Sequence, residues 1–133
     1  EFATAVADGA FALWWRAHGN SYGIGRFVES HIDHGAVVSV NCSRASVVDA
    51  CRRFANVTVA EITAPEEVLV RRIVARGRET AEQARERVSR QVPEYPGGVR
   101  VVRIVNDGPV DEAIARFCRL LQELKGEPAE LAE

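Results

Sequence analysis

Residues 57–79 read VTVAEITAPEEVLVRRIVARGRE, and the punctuation of this stretch decides the fold. Val57–Thr63 is a short β-branched run of the kind that fills a buried strand. Pro65 then stands where a first helical turn accepts it, with Glu66 and Glu67 behind it at the positive end of the helix dipole. The helix this predicts stops at Gly77. A buried strand feeding directly into a helix is half of a parallel crossover unit.

The same alternation continues outward. Downstream, Thr80-Ala81-Glu82-Gln83 is close to a capping box and opens a more polar helix to about Val92. PEYPGG (Pro93–Gly98) reads as a loop and VRVVRIV (Val99–Val105) as another strand. After the Asn106-Asp107-Gly108 turn, a long amphipathic helix follows, with Ile114, Phe117, Leu121 and Leu124 on one face. Upstream, AVVSVN (Ala36–Asn41) is a further buried-strand candidate, and Ser43 can cap the helix ASVVDACRRFA. Gly25–His34 reads as a helix closed by Gly35, FALWWRA (Phe11–Ala17) as a strand followed by a turn at residues 18–21, and residues 1–9 as a short helix. The expected fold is α/β, a three-layer parallel sheet with flanking helices. It forms one domain over residues 1–125, with a flexible acidic tail at 126–133.

Composition narrows the classes. The chain has 133 residues, 47% hydrophobic, enough for a single core. No apolar run approaches a membrane span, and the net charge of −2 supplies no field that would draw the protein to nucleic acid or membrane. Cys42, Cys51 and Cys118 lie far apart, which suits core residues in a reducing compartment, so a cytoplasmic protein is expected. Of 17 basic residues only Lys125 is a lysine. A GC-rich genome produces such a bias without function, whereas the guanidinium fork also suits phosphate oxygens.

Clustering bears on that choice. Residues 71–90 hold seven arginines against three glutamates. Arg72 and Arg76 are four apart and share a helix face, and the turn at Gly77 lets the next helix bring Arg87 toward them. Converging guanidiniums stabilise a transferring phosphoryl group, although a solvated helix pair laced with Arg–Glu contacts would show the same sequence. Tyr22, in the glycine-flanked HGNSYG, is placed either to reach a substrate phosphate or to form an aromatic hairpin corner. Asn106 and Asp107 stand at the carboxyl end of a strand, where ligands of parallel sheets lie. His31 and His34 lack a third ligand at suitable spacing, so no protein metal site is expected, and no G-x-S-x-G supports acyl transfer.

Taken in order, HGNSYG, two buried strands, R-x-x-x-R-G-x-E with a later Arg, and a last strand ending in N-D resemble the guanylate kinase superfamily of P-loop kinases. The resemblance runs from about Phe2 to Leu124. It implies that Arg72, Arg76 and Arg87 are lid and phosphate-binding arginines, in a lid of about residues 72–92. It implies also that Asn106 and Asp107 border the adenine of ATP, that Mg²⁺ arrives with the ATP, and that Tyr22 holds the acceptor's phosphate. Guanylate kinases read guanine with a Glu where this chain has Leu13 and a Ser or Thr where it has Ile24. A site without those hydrogen bonds does not discriminate guanine.

Within the superfamily, W-x-A-H-G…Y-G-I (Trp15–Ile24) and V-N-x-S-R-A (Val40–Ala45) are similar to the ribose 1,5-bisphosphate phosphokinases. These make 5-phosphoribosyl 1-diphosphate with ATP in phosphonate catabolism, and the resemblance gives His18, Asn41, Ser43 and Arg44 to the ribose phosphate. The alternatives are another nucleotide or small-molecule kinase of the same fold, or a non-catalytic binding domain. One departure is large: no G-x-x-x-x-G-K-[ST] loop stands in these residues, and the first strand of the family's sheet is missing with it. The chain therefore reads as a fragment, inactive alone, with unpaired apolar strand edges that rearrangement, swapping or a homodimer would cover.

Overall fold

The computed structural model describes residues 1–17, 19–89 and 94–126. The amino-terminal unit is a hairpin: β1 (Phe11–Ala17) pairs antiparallel with β2 (Asn20–Gly25), placing Trp15 opposite Tyr22. The sequence predicts only a turn and the start of a helix over NSYGIG, so β2 is a correction. Its cause is cross-strand pairing, since the Trp15 and Tyr22 rings stack at 5.3 Å with 9° between their planes. Gly23 has a packing reason as well. A Cβ there would lie 2.5 Å from Cε1 of Phe11, whose ring stacks on Phe2 of α1 (Phe2–Ala7) at 5.1 Å.

After α2 (Phe27–Asp33), residues 36–41 have no ladder partner among the described residues, and Val37 and Val40 are 40% and 37% exposed. The expectation of a strand here does not hold. Strand propensity measures fit to a neighbour, and no described strand runs alongside to accept the hydrogen bonds. At the start of α3 (Ser46–Arg53) the cap position is Ala45 rather than Ser43, although Ser43 Oγ accepts the Ser46 N–H at 3.3 Å. The helix packs against β1, with Leu13 and Val47 buried.

The carboxy-terminal unit follows the sequence closely. β3 (Thr58–Thr63) pairs parallel with β4 (Arg100–Val105), Thr58 opposite Arg100 through to Thr63 opposite Val105. Between them lie α4 (Glu66–Ala75) and α5 (Ala81–Ser89), which pack on each other. The reversal between the helices requires Gly77, whose φ of 69° is costly for any residue with a Cβ. The capping box at the start of α5 is complete: Thr80 N–H donates to Gln83 Oε1 at 3.0 Å, and Gln83 N–H to Thr80 Oγ1 at 3.3 Å.

Last comes α6 (Val110–Gly126), which packs on β4. It buries Ala113 and Leu120, with Phe117, Leu121 and Leu124 of the expected face half-buried and Ile114 52% exposed. The described residues thus form a mixed α/β structure with two separate two-stranded sheets, one parallel, rather than one continuous sheet. Residues 127–133 of the expected acidic tail at 126–133, and residues 90–92 of the expected lid, lie outside the described residues. Thr80→Ala is expected to cost about 1 kcal/mol of stability, read as a lower urea midpoint at unchanged m-value.

Candidate functional site

Where the parallel pair ends, the chain builds a small cleft. The Asn106 N–H donates to the Thr63 carbonyl at 2.6 Å, carrying the β3–β4 pairing one residue past its last rung. From α4, Arg72 Nη1 donates to the Asn106 carbonyl at 2.7 Å. Arg72, Arg76 and Asn106 line a cavity of about 180 Å³, together with Ile62, Thr63 and Leu69. Two charges four residues apart therefore face one hollow, as helical spacing dictates. Asn106 Oδ1 is shut away from solvent and accepts no hydrogen bond among the described residues. Such an atom costs about 1–3 kcal/mol until something donates to it.

The other arginine expected here is engaged elsewhere. Arg87 Nη1 donates to Glu79 Oε1 at 2.6 Å, and Arg87 does not line the cleft. Asp107 is exposed and also stands outside the lining. Arg76 is exposed and its side chain forms no hydrogen bond or ion pair with a described residue, so its guanidinium is available to a ligand.

The residues expected to hold the acceptor are dispersed. Ser43, besides accepting the Ser46 N–H, lines a second cavity of about 530 Å³ between β1 and α3. Tyr22 is half-exposed on the hairpin against Trp15, Asn41 is exposed in the unpaired run, and neither lines that cavity. His18 lies outside the described residues. Arg16 and Arg52 line the larger cavity too, and sequence reasoning missed both. Arg52 donates to Asp49 at 3.3 Å, while the Arg16 side chain has no hydrogen bond or ion pair among the described residues. The available signal was a lone arginine in the apolar run FALWWRA.

A third cluster was not foreseen. Glu61 and Arg103 are register partners on β3 and β4, and Arg103 Nε donates to Glu61 Oε1 at 2.9 Å. The Tyr95 hydroxyl donates to Glu61 Oε2 at 2.8 Å. The Tyr95 bond, helped by Arg103, holds the Glu61 carboxyl below its ordinary value, and partial burial beside Glu61 pushes the Tyr95 phenol up. Arg44, the remaining residue expected at the acceptor, adds its charge to both groups, and its side chain has no hydrogen bond or ion pair among the described residues. A glutamate inside the apolar run VTVAEIT and an arginine, Arg103, inside VRVVRIV were the legible signs.

Among the described residues no group of three or more His, Cys, Asp or Glu is placed to hold a metal ion, and no helix is long and apolar enough to cross a membrane. An arginine-lined cleft at the carboxyl end of parallel strands suits the phosphates of a nucleotide. Proteins similar in sequence are named as kinases. A ribose 1,5-bisphosphate phosphokinase PhnN from Burkholderia pseudomallei is 39% identical over 125 residues, which are 93% of this chain and 68% of that protein. One from Brucella melitensis is 39% identical over 124 residues, 93% of this chain and 65% of that protein. A bifunctional ribose 1,5-bisphosphokinase-thymidine phosphorylase from Cupriavidus pinatubonensis is 38% identical over 122 residues, 92% of this chain but only 20% of its own length. The chain belongs to the ribose 1,5-bisphosphate phosphokinase PhnN family. It spans about two thirds of the PhnN proteins and a fifth of the bifunctional ones. No family model and no solved structure matches it.

Because the folded-state value of Glu61 is lowered, its contribution to stability is present above the ordinary value of 4.5 and is lost as pH falls through the lower folded value. The stability gap between the wild type and Glu61→Gln is therefore expected to be widest near neutrality and to close as pH drops below 4.5. Urea titrations across that range measure it.

Proposed function

We propose that the protein to which these residues belong transfers the γ-phosphoryl group of ATP to the 1-phosphate of ribose 1,5-bisphosphate, giving 5-phosphoribosyl 1-diphosphate. The observation that carries this reading is the cleft at the carboxyl end of the parallel pair that Arg72, Arg76 and Asn106 line. The names of the relatives supply the reaction and its acceptor.

The roles divide by what each group is already doing. Arg72 is held by the Asn106 carbonyl and positions that residue, while Arg76 is unengaged and reaches the transferring phosphoryl group. Asn106, which lines the cleft, borders the adenine. Arg87 joins the phosphates only by exchanging its bond to Glu79 for one to the ligand. Asp107, at the rim, borders the same base. Tyr22, His18, Asn41, Ser43 and Arg44 serve the phosphorylated sugar.

Mg²⁺ enters bound to ATP and neutralises charge on its phosphates, since no described carboxylate cluster is built to hold it. The fold we infer for the whole protein is the three-layer parallel sheet of P-loop kinases. In it the run at 36–41 gains the strand partner it lacks among the described residues. Its setting is the cytoplasm, in a pathway of phosphonate breakdown, with no nucleic-acid partner.

Arg76→Ala, made in the protein as its organism produces it, is expected to lower kcat by roughly 10²–10³-fold. It should change stability by less than about 0.5 kcal/mol, because its side chain is solvated. A coupled assay of 5-phosphoribosyl 1-diphosphate formation reads the first quantity and urea unfolding the second. Unchanged turnover would remove Arg76 from the site.

A further inference from the structure

Where β4 ends, the parallel ladder runs out of backbone donors. In such a ladder a residue donates to the residue before its register partner and accepts from the residue after it. Thr63 stands opposite Val105, so Asn106 donates to the Thr63 carbonyl, as it does at 2.6 Å, and its own carbonyl is due a bond from residue 65. Pro65 has no N–H to give. Arg72 Nη1, from α4, supplies the missing donor at 2.7 Å.

The preceding carbonyl lacks a backbone donor for a different reason. Successive residues of a strand turn their peptide groups to opposite edges, so the Val105 carbonyl faces away from β3, where no described strand runs. Here the donor is Arg116 of α6, whose Nη1 lies 2.9 Å from the Val105 oxygen. Its other terminal nitrogen stands 3.9 Å from Glu112 Oε2, one helical turn back. Two consecutive carbonyls at the mouth of the cleft are thus held from opposite edges of the strand, by one guanidinium from α4 and one from α6. The two holds are not equivalent. Arg72 lines the cleft, and a phosphate there competes with the Asn106 carbonyl for its guanidinium. Arg116 lies outside the lining, so its hold is the same with the cleft empty or filled.

We propose that Arg116 is a positioning residue for nucleotide binding, acting through the Val105 carbonyl on the turn at Asn106-Asp107. The inference rests on the kinase reading, in which that turn borders the adenine of ATP. Loosening the turn costs affinity for ATP and leaves the groups around the transferring phosphoryl in place. The effect therefore falls on the KM for ATP and not on kcat.

The test is steady-state kinetics of Arg116 variants in the protein as its organism produces it, joined to amide hydrogen exchange read by NMR. Arg116→Ala is expected to raise the KM for ATP by about three- to tenfold, the worth of one hydrogen bond. Its kcat and its KM for ribose 1,5-bisphosphate should match the wild type. Arg116→Lys, which keeps a charged donor for a single carbonyl, should recover most of the loss. Glu112→Gln removes the ion pair and spares the carbonyl contact, so it should behave as the wild type. Without nucleotide, the Asn106 N–H should exchange faster in Arg116→Ala, relative to amides earlier in β4.

A fall in kcat with both KM values raised would mark a general structural role and overturn the proposal, as would a Glu112→Gln loss equal to that of Arg116→Ala. If the wild type transfers phosphate and Arg116→Ala keeps its KM for ATP, the positioning role falls and the kinase reading stands. If the wild type transfers nothing but exchange at Asn106 still quickens in Arg116→Ala, the kinase reading falls and the hold on the turn stands.

Discussion

Parallel pairing of Thr58–Thr63 with Arg100–Val105 is the constraint on which the functional part of this chain depends. The two strands are separated by a loop and two helices, so their ladder is what closes residues 64–99 into a loop of fixed ends. Asn106 reaches Thr63 because the ladder runs one residue further, and Arg72 can then hold the Asn106 carbonyl from the first helix of the crossover. The same register sets Arg103 beside Glu61. One strand pair thus defines both the cleft at its carboxyl end and the charged cluster upstream. Closing a long loop is entropically costly, and burial of Ile104, 2% exposed, with α6 packed on β4 helps to offset it.

The arginines differ in availability once their partners are known. Arg52, Arg53, Arg87 and Arg103 each meet a carboxylate, at Asp49, Glu29, Glu79 and Glu61. The exposed pairs contribute little to stability, with a typical worth of about 0–1 kcal/mol. Their main effect is on availability, because a guanidinium already bound must give up that bond to take a phosphate. Arg16, Arg44 and Arg76 have no such bond among the described residues, and each lies at one of the cavities or clusters described above. In a chain with sixteen arginines and one lysine, count alone says little. The distribution of carboxylates over the surface separates structural from available guanidiniums.

The elements that could be read from residues alone are those whose signals are local. Thr80 and Gln83 satisfy each other's backbone donors across three residues, Ser43 accepts the Ser46 N–H where a helix begins, and Gly77 ends its helix at a positive φ. The strand at Thr58–Thr63 and the helix from Glu66 follow from a β-branched run and a proline. Errors arose where the answer lay in a distant segment. Ala36–Asn41 has a strand's composition and no described neighbour, and NSYGIG has little strand composition but a neighbour in β1. On α6 the buried stripe passes through Ala113 rather than Ile114, since contact with β4 outweighs side-chain size.

By itself the sequence determined the order of most elements, the capping of one helix, the pairing of Arg72 with Arg76 on one face, and a family resemblance that related proteins bear out. These properties depend on residues within a few positions of one another, where propensity and helical spacing operate. Tertiary structure alone decided that Arg72 meets Asn106 while Arg87 meets Glu79, that Tyr22 stacks on Trp15, and that Glu61 gathers Tyr95 and Arg103. Each of these contacts joins groups on different elements or across a turn. Which of several similar side chains fills such a contact is set by strand register and helix packing, and neither is written in any single stretch of the chain.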